Sequence, residues 1–347
     1  MITREIDFRY TIVRGDADLC EIYPIAGGEP RIRMKDSAEI KTSFSGSFLP
    51  DERVNWLTDR IRPELILDGV TYALGLFLPA TVQERTDESQ RSVQVEAYDL
   101  CWLAKDYARA VQASVAKNEN YVAVIKNLLH LAGIDQTLAT ANAATLPEAR
   151  HWEIGTPWLS IVNELLAEIN YKPLWFNAQG LAVLEPKQAP TAANIRHEIS
   201  SEDVRSLLLP AVARETDIYS APNVFICVCA NPDKSGNMAA TATNNNVNSP
   251  LSVPRRGRSI AKVVKLNNIA SQAELQAYAD NLVRESMYAG ETIEITTGLF
   301  PGYGVADIVG LNLDGELSIC IEHAWEMQLR VGGSMKHTLE MVVVNYE

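Results

Sequence analysis

Two cysteines one residue apart, Cys227-Val228-Cys229, are the first residues whose types and spacing invite chemistry. In an extended strand both thiols face the same side, as a metal-binding pair would. A zinc site needs further ligands, usually at wider spacing, and His197 and His323 stand too far off in sequence to supply them. Buried strand cysteines account for the pair better, because a free cysteine packs as a small apolar residue. Gly302-Tyr303-Gly304-Val305-Ala306-Asp307 begins like a dinucleotide-binding loop. Its last glycine is missing and no helical pattern follows, so the strand–loop–helix context that gives such a loop its meaning is not there. No His-Glu-x-x-His, no Gly-x-Ser-x-Gly and no P-loop occurs. The five histidines, His130, His151, His197, His323 and His337, show no pairing with a candidate nucleophile. His130 sits at a helix end, where a cation is favourable. A glycosidase pair needs two facing carboxylates. With 44 acidic residues nothing selects one pair, and a solvated surface accounts for them. The sequence therefore offers no catalytic, no cofactor-binding and no metal-ligating residue, and the chain reads as a non-enzyme.

One basic cluster stands out: Arg255-Arg256-Gly257-Arg258, then Lys262 and Lys265. A phosphate-binding role is one use. In an acidic protein, an ionic contact with an acidic neighbouring subunit, or simple solvation, fits better, since rim charges steer partners more than they add affinity. The chain has 347 residues and a net charge of −13. That balance argues against a nucleic-acid binder, whose affinity comes from cations on phosphates, and against an anionic membrane surface. No apolar run reaches the ~18 residues of a membrane span, and the amino terminus lacks a basic-then-apolar signal pattern. Five scattered cysteines make a disulfide framework a poor reading. A soluble, reduced protein made inside the cell is expected.

The elements that must position these residues follow from periodicity. Ile40, Thr42, Phe44 and Phe48 share a face by period two. Asp68-Gly69 between apolar runs is a strong hairpin signal, and residues 81–85 and 92–98 form a second hairpin, with Val93, Val95 and Ala97 on one face. The middle of the chain turns helical. Tyr121, Ile125, Leu128, Leu129 and Ala132 keep helix spacing up to Gly133. Thr156 is the expected N-cap, with Pro157 just inside the helix, and Trp158, Ile161, Val162, Leu165, Leu166 and Ile169 make one apolar stripe. Residues 174–186 read as a hairpin closed by Asn-Ala-Gln-Gly. The last third returns to strands, at residues 223–229, 260–266, 291–296, 317–329 and 335–344. It holds one helix at about 271–289 behind a Ser271–Glu274 capping box. Residues 231–254 are polar and read as a long loop or exposed hairpin. The two ends look alike in plan, each closing with a long antiparallel hairpin after a shorter strand pair. A repeat of this length would be two copies of one β domain.

This order of elements resembles the late-control-D-like baseplate hub proteins of phage tails and related contractile injection machines. Residues 61–65 through Gly75-Leu76-Phe77 look like the family's first-barrel strand pair, and residues 175–186 like its middle-module hairpin. Residues 272–279 look like its late helix, and Leu299-Phe300-Pro301-Gly302 like the loop before its closing strands. Where such proteins often carry Gly-Asp before the next strand, this chain has Gly302-Tyr303-Gly304. The resemblance implies an α+β, mainly β fold: two similar antiparallel, tail-tube-like β-barrel domains with a small helix–helix–hairpin module between them. The expected boundaries are 1–105, 106–200 and 201–347. It also implies a structural hub in the virion tail: a homotrimer joining a sixfold tail tube to a threefold central spike, with symmetric closure. Its expected partners are the tail tube or distal tube protein, the spike, other baseplate proteins and the tape measure protein, with DNA only in transit and no membrane insertion. No cofactor is implied. By segment the net charges are −5, −2 and −6, so both expected barrels are acidic. Acidic side chains lining a conduit would repel passing DNA instead of trapping it. The competing readings are a tail-associated cell-wall hydrolase or peptidase, and a carbohydrate- or receptor-binding tail module. The first lacks nucleophile and metal motifs. The second would use Trp and Tyr residues that serve equally as core.

Overall fold

The computed structural model describes residues 4–86, 91–107, 113–203, 206–215, 221–229, 238–266, 272–288 and 291–342. In chain order the strands and helices are as follows. The first part holds β1 (Ile6–Arg14), β2 (Ala17–Glu21), β3 (Arg31–Lys35), β4 (Thr42–Phe48), β5 (Arg60–Leu67), β6 (Val70–Ala73), β7 (Phe77–Thr86) and β8 (Arg91–Asp99). The middle holds α1 (Cys101–Asp106), β9 (Ala113–Val115), α2 (Tyr121–Leu131), β10 (Thr137–Ala139), β11 (Arg150–Trp152), α3 (Trp158–Glu168), β12 (Trp175–Phe176) and β13 (Ala182–Leu184). The last part holds β14 (His197–Ser200), β15 (Ala213–Glu215), β16 (Val224–Cys229), β17 (Met238–Thr243), α4 (Val253–Arg256), β18 (Ala261–Leu266), α5 (Gln272–Tyr288), β19 (Glu291–Thr297), β20 (Ile308–Leu313), β21 (Glu316–Gln328) and β22 (Met335–Val342). The fold is mainly β. The chain divides into two compact units. One comprises Met1–Ala189 with Gly298–Val305 and Ala324–Met335; the other comprises the remaining residues.

In the first unit, β3 pairs the Ala324–Gln328 end of β21, and the order continues β4, β8, β7, β5, β1, β2, with β6 beside β5. Every one of these pairings is antiparallel. Asp68 and Gly69 both take positive φ, at 50° and 79°, as the two-residue turn between β5 and β6 demands. Alternation along β4 and β8 buries Phe44, Phe48, Val93, Val95 and Ala97. Phe44 lies against Phe77 with ring centroids 5.6 Å apart, and Tyr10 meets Phe48 edge-on at 5.3 Å. Gly46 sits between the two β4 phenylalanines. A Cβ there would come within 2.9 Å of the Phe48 ring, so any side chain would displace it.

The same unit contains the helical module. The α3 stripe is buried, with Ile161, Val162, Leu165 and Leu166 wholly excluded from solvent, and packs with Ile125 and Leu129 of α2. Thr156 is not the α3 cap. Its hydroxyl donates to the Glu153 carbonyl at 2.8 Å, and Pro157, extended at φ −59° and ψ 137°, occupies the cap position. A proline there still fits because its missing N–H is one that no helix would satisfy. The β12–β13 hairpin forms around Asn177, whose side chain accepts from the Gln179 and Leu181 amides at 3.0 Å each, while Gly180 takes φ 78°.

In the second unit the order is β15, β19, β22, β21, β20, β14, the last pair parallel. A separate three-stranded sheet has β16 at its centre, antiparallel to β17 and parallel to β18, with α5 on one face. Of the two expectations for residues 231–254, the hairpin fits: β17 pairs antiparallel with β16, and the segment ends in the first residues of α4; residues 231–237 lie outside the described residues, as does Ser271 of the expected capping box.

Candidate functional site

Cys227 and Cys229 both face α5 from β16. They are wholly buried with Ala240, Ala242, Leu275, Ala279 and Val283. Burial raises the Cys227 thiol pKa, which disfavours the thiolate a metal or a nucleophilic role requires. No group of three potential metal ligands occurs among the described residues. Gly302 takes φ 100°, and a turn through Ala306, not a helix, follows Gly304. His130 lies at the end of α2 and pairs with Asp135.

The second unit contains a cluster that the sequence reading missed. The Thr297 hydroxyl and His337 Nε2 are 3.0 Å apart, and His337 Nδ1 lies 2.9 Å from Glu322 Oε2. Hydroxyl, imidazole and carboxylate stand in the order of a nucleophile–base–carboxylate triad. Thr297 and Glu322 have no solvent exposure and His337 has 1%, so no substrate reaches the hydroxyl. Beside it, the buried Asp307 carboxylate accepts from Arg196 at 2.8 Å and lies 3.3 Å from His197 Nε2, and the Asp307 carbonyl accepts from the Glu322 amide at 2.8 Å. His323 pairs with Glu340. Burial is the main cause raising the Glu322 pKa, and the His337 partner pulls it back down. The cluster pairs the Thr297 hydroxyl, both His337 ring nitrogens and Glu322 Oε2 away from solvent, while Glu322 Oε1 is buried without a hydrogen bond. Strand alternation on β21 and β22, with Glu322 and His337 both inward, was the available sequence signal.

The first unit has a cavity of about 40 Å³ lined by Met34, Phe77, Asp99, Trp175, Val305 and Trp325, among others. The Asp99 carboxylate accepts from the Thr42 and Cys101 amides at 3.0 Å each, and burial pushes its pKa up to about 6. The space suits a few water molecules and is far below the roughly 300 Å³ of a small-molecule site.

The remaining candidate is a surface. On the face of the β16–β17–β18 sheet away from α5, Val224, Ile226 and Val228 stay partly exposed, and Val263 of β18 is 57% exposed. Lys265 of β18 is exposed on this face, opposite Val228, while Lys262, opposite Phe225, lies on the α5 side; Arg255 and Arg258 are exposed before β18, and Arg256 turns in to donate to the Ala221 carbonyl at 2.6 Å.

Compared with solved structures, the chain is similar to a tail protein from Neisseria meningitidis, with a TM-score of 0.70 and 13% identity over 96% of each chain. It is similar to the 43 kDa tail protein of prophage MuSo2 from Shewanella oneidensis, with a TM-score of 0.68 and 10% identity over 96% of this chain and 98% of that one. It is also similar to prophage tail protein gp18 from Listeria monocytogenes, with a TM-score of 0.61 and 10% identity over 96% and 94%. The chain has a phage tail protein fold. The likeness runs through both strand-rich parts and the helical module between them, and it is a likeness of fold at low identity. No family model matches the chain, and no curated protein matches it. Among the described residues, no helix is long and apolar enough to cross a membrane.

Proposed function

We propose that this protein is a structural baseplate hub of a phage or phage-like tail. It acts by assembly, as a homotrimer that joins a sixfold tail tube to a threefold central spike and forms part of the conduit between them. The observation that carries this reading is the tail protein fold extending over 96% of this chain and a similar share of its neighbours. The tail protein names belong to those neighbours, and for this chain the virion tail is the proposed location.

In this reading residues 1–105 and 201–347 are two tube-like barrel halves, and residues 106–200 are the module between them. Three subunits then present six such halves, which matches a sixfold tube to a threefold spike under closed symmetry. Its partners are the tube or distal tube protein, the spike, other baseplate proteins and the tape measure protein. Electron microscopy of the purified protein tests the reading. Class averages should show a threefold ring with a central hole; compact particles without a hole at every concentration would contradict it.

A further inference from the structure

We infer that the outer face of the β16–β17–β18 sheet, with the cations beside it, docks an acidic surface of a second copy of this chain. The inference rests on the self-assembly proposed above and names the surface that would carry it.

Register fixes the face. Val224, Ile226 and Val228 alternate with the three β16 residues buried under α5, and Val263 lies opposite Ile226. Across β17, the residues opposite this row are Thr243, Thr241 and Ala239, small side chains that leave the branched row accessible. A branched apolar row that stays partly exposed on a sheet already covered on one side is the composition of a contact centre, not of a solvated face.

Charge selects the occupant. Residues 255–265 hold five cations and no acid, in a chain whose net charge is −13. A second copy therefore offers a surface of opposite sign to this segment. A basic patch meeting acidic surface elsewhere on an identical chain is a head-to-tail contact, the type that closes into rings.

The segment is also held in place before any partner arrives. Asn223, with no solvent exposure, donates to the Leu251 and Arg258 carbonyls at 3.1 and 3.0 Å and accepts from the Ile260 amide at 2.7 Å. Ser252 caps α4, and Gly257 ends it at φ 65°. Such fixing lowers the ordering cost of association. Lysines on an outer strand also repel stray strand pairing, so the contact is assigned to the face and not to the β18 edge.

The test compares the full chain with Lys265→Glu, with Val263→Asp, and with Val331→Asp as a control at a separate exposed residue. Each is measured by light scattering over a range of protein and salt concentrations, with circular dichroism to verify folding. The wild type should self-associate, less so at high salt. The β18 variants should weaken association by at least about tenfold, and the control should leave it unchanged. A wild-type oligomer that all variants preserve overturns the docking surface and leaves the trimer standing. A wild-type dimer that the β18 variants dissociate supports the surface and contradicts the trimer. A wild-type monomer throughout overturns both. A monomer that retards duplex DNA, with the retardation lost in Lys265→Glu, overturns the inference in favour of phosphate binding.

Discussion

Asp99 is the residue whose surroundings set the clearest pH dependence. Its carboxyl is 2% exposed and titrates at about 6 in the fold, against 3.8 for an unperturbed aspartate, because desolvation outweighs the two amide donors. Between those values the native state binds more protons than the unfolded chain, so stability falls as pH rises. Relative to Asp99→Asn, the wild type should therefore lose about 3 kcal/mol between pH 4 and pH 6, measured by urea unfolding at each pH. A flat difference would show that Asp99 is hydrated. His337 is a second test. It faces Thr297 Oγ1 and Glu322 Oε2 with 1% exposure, so removing it strands a buried carboxyl. His337→Ala should cost roughly 3 kcal/mol in a denaturant titration. Glu322→Gln should cost less, because the neutral amide keeps a hydrogen-bonding group at the imidazole and removes the charge that burial penalises.

Elements differ in how plainly residues announce them. The α3 stripe was legible because six apolar side chains at helical spacing admit one buried face, and burial of Ile161, Val162, Leu165 and Leu166 agrees. Leu165→Ala should lose about 2–5 kcal/mol in thermal or denaturant unfolding; a smaller loss would mean that α2 and α3 collapse over the cavity. The α3 cap was not legible, because the Thr156 hydroxyl donates to the Glu153 carbonyl instead of accepting from a helix amide. The β17 strand was only half legible, as one of two readings of residues 231–254, for another reason. Met-Ala-Ala-Thr-Ala-Thr carries little intrinsic strand preference, and its conformation comes from pairing with β16 beneath α5. The Thr297–His337–Glu322 cluster needed strand register across residues 15 to 40 apart, which composition does not carry. By contrast, the Asp68-Gly69 turn was plain, since two successive positive φ values favour those residue types. Gly69→Val should cost about 1–2 kcal/mol in the same unfolding assay.

At the scale of the whole molecule, the net charge of −13 would let the proposed hub form a wall past which DNA moves without sticking. In the proposed ring, acidic side chains face the lumen and the 255–265 cations face a neighbouring subunit. A reconstruction of the ring with a basic lumen would contradict that arrangement. The central claim is the closed trimer, and the molar mass in solution tests it most directly. Light scattering after gel filtration should give about 115 kDa, three times the 38.3 kDa of the chain. A mass of 38.3 kDa that persists as protein concentration rises would contradict it.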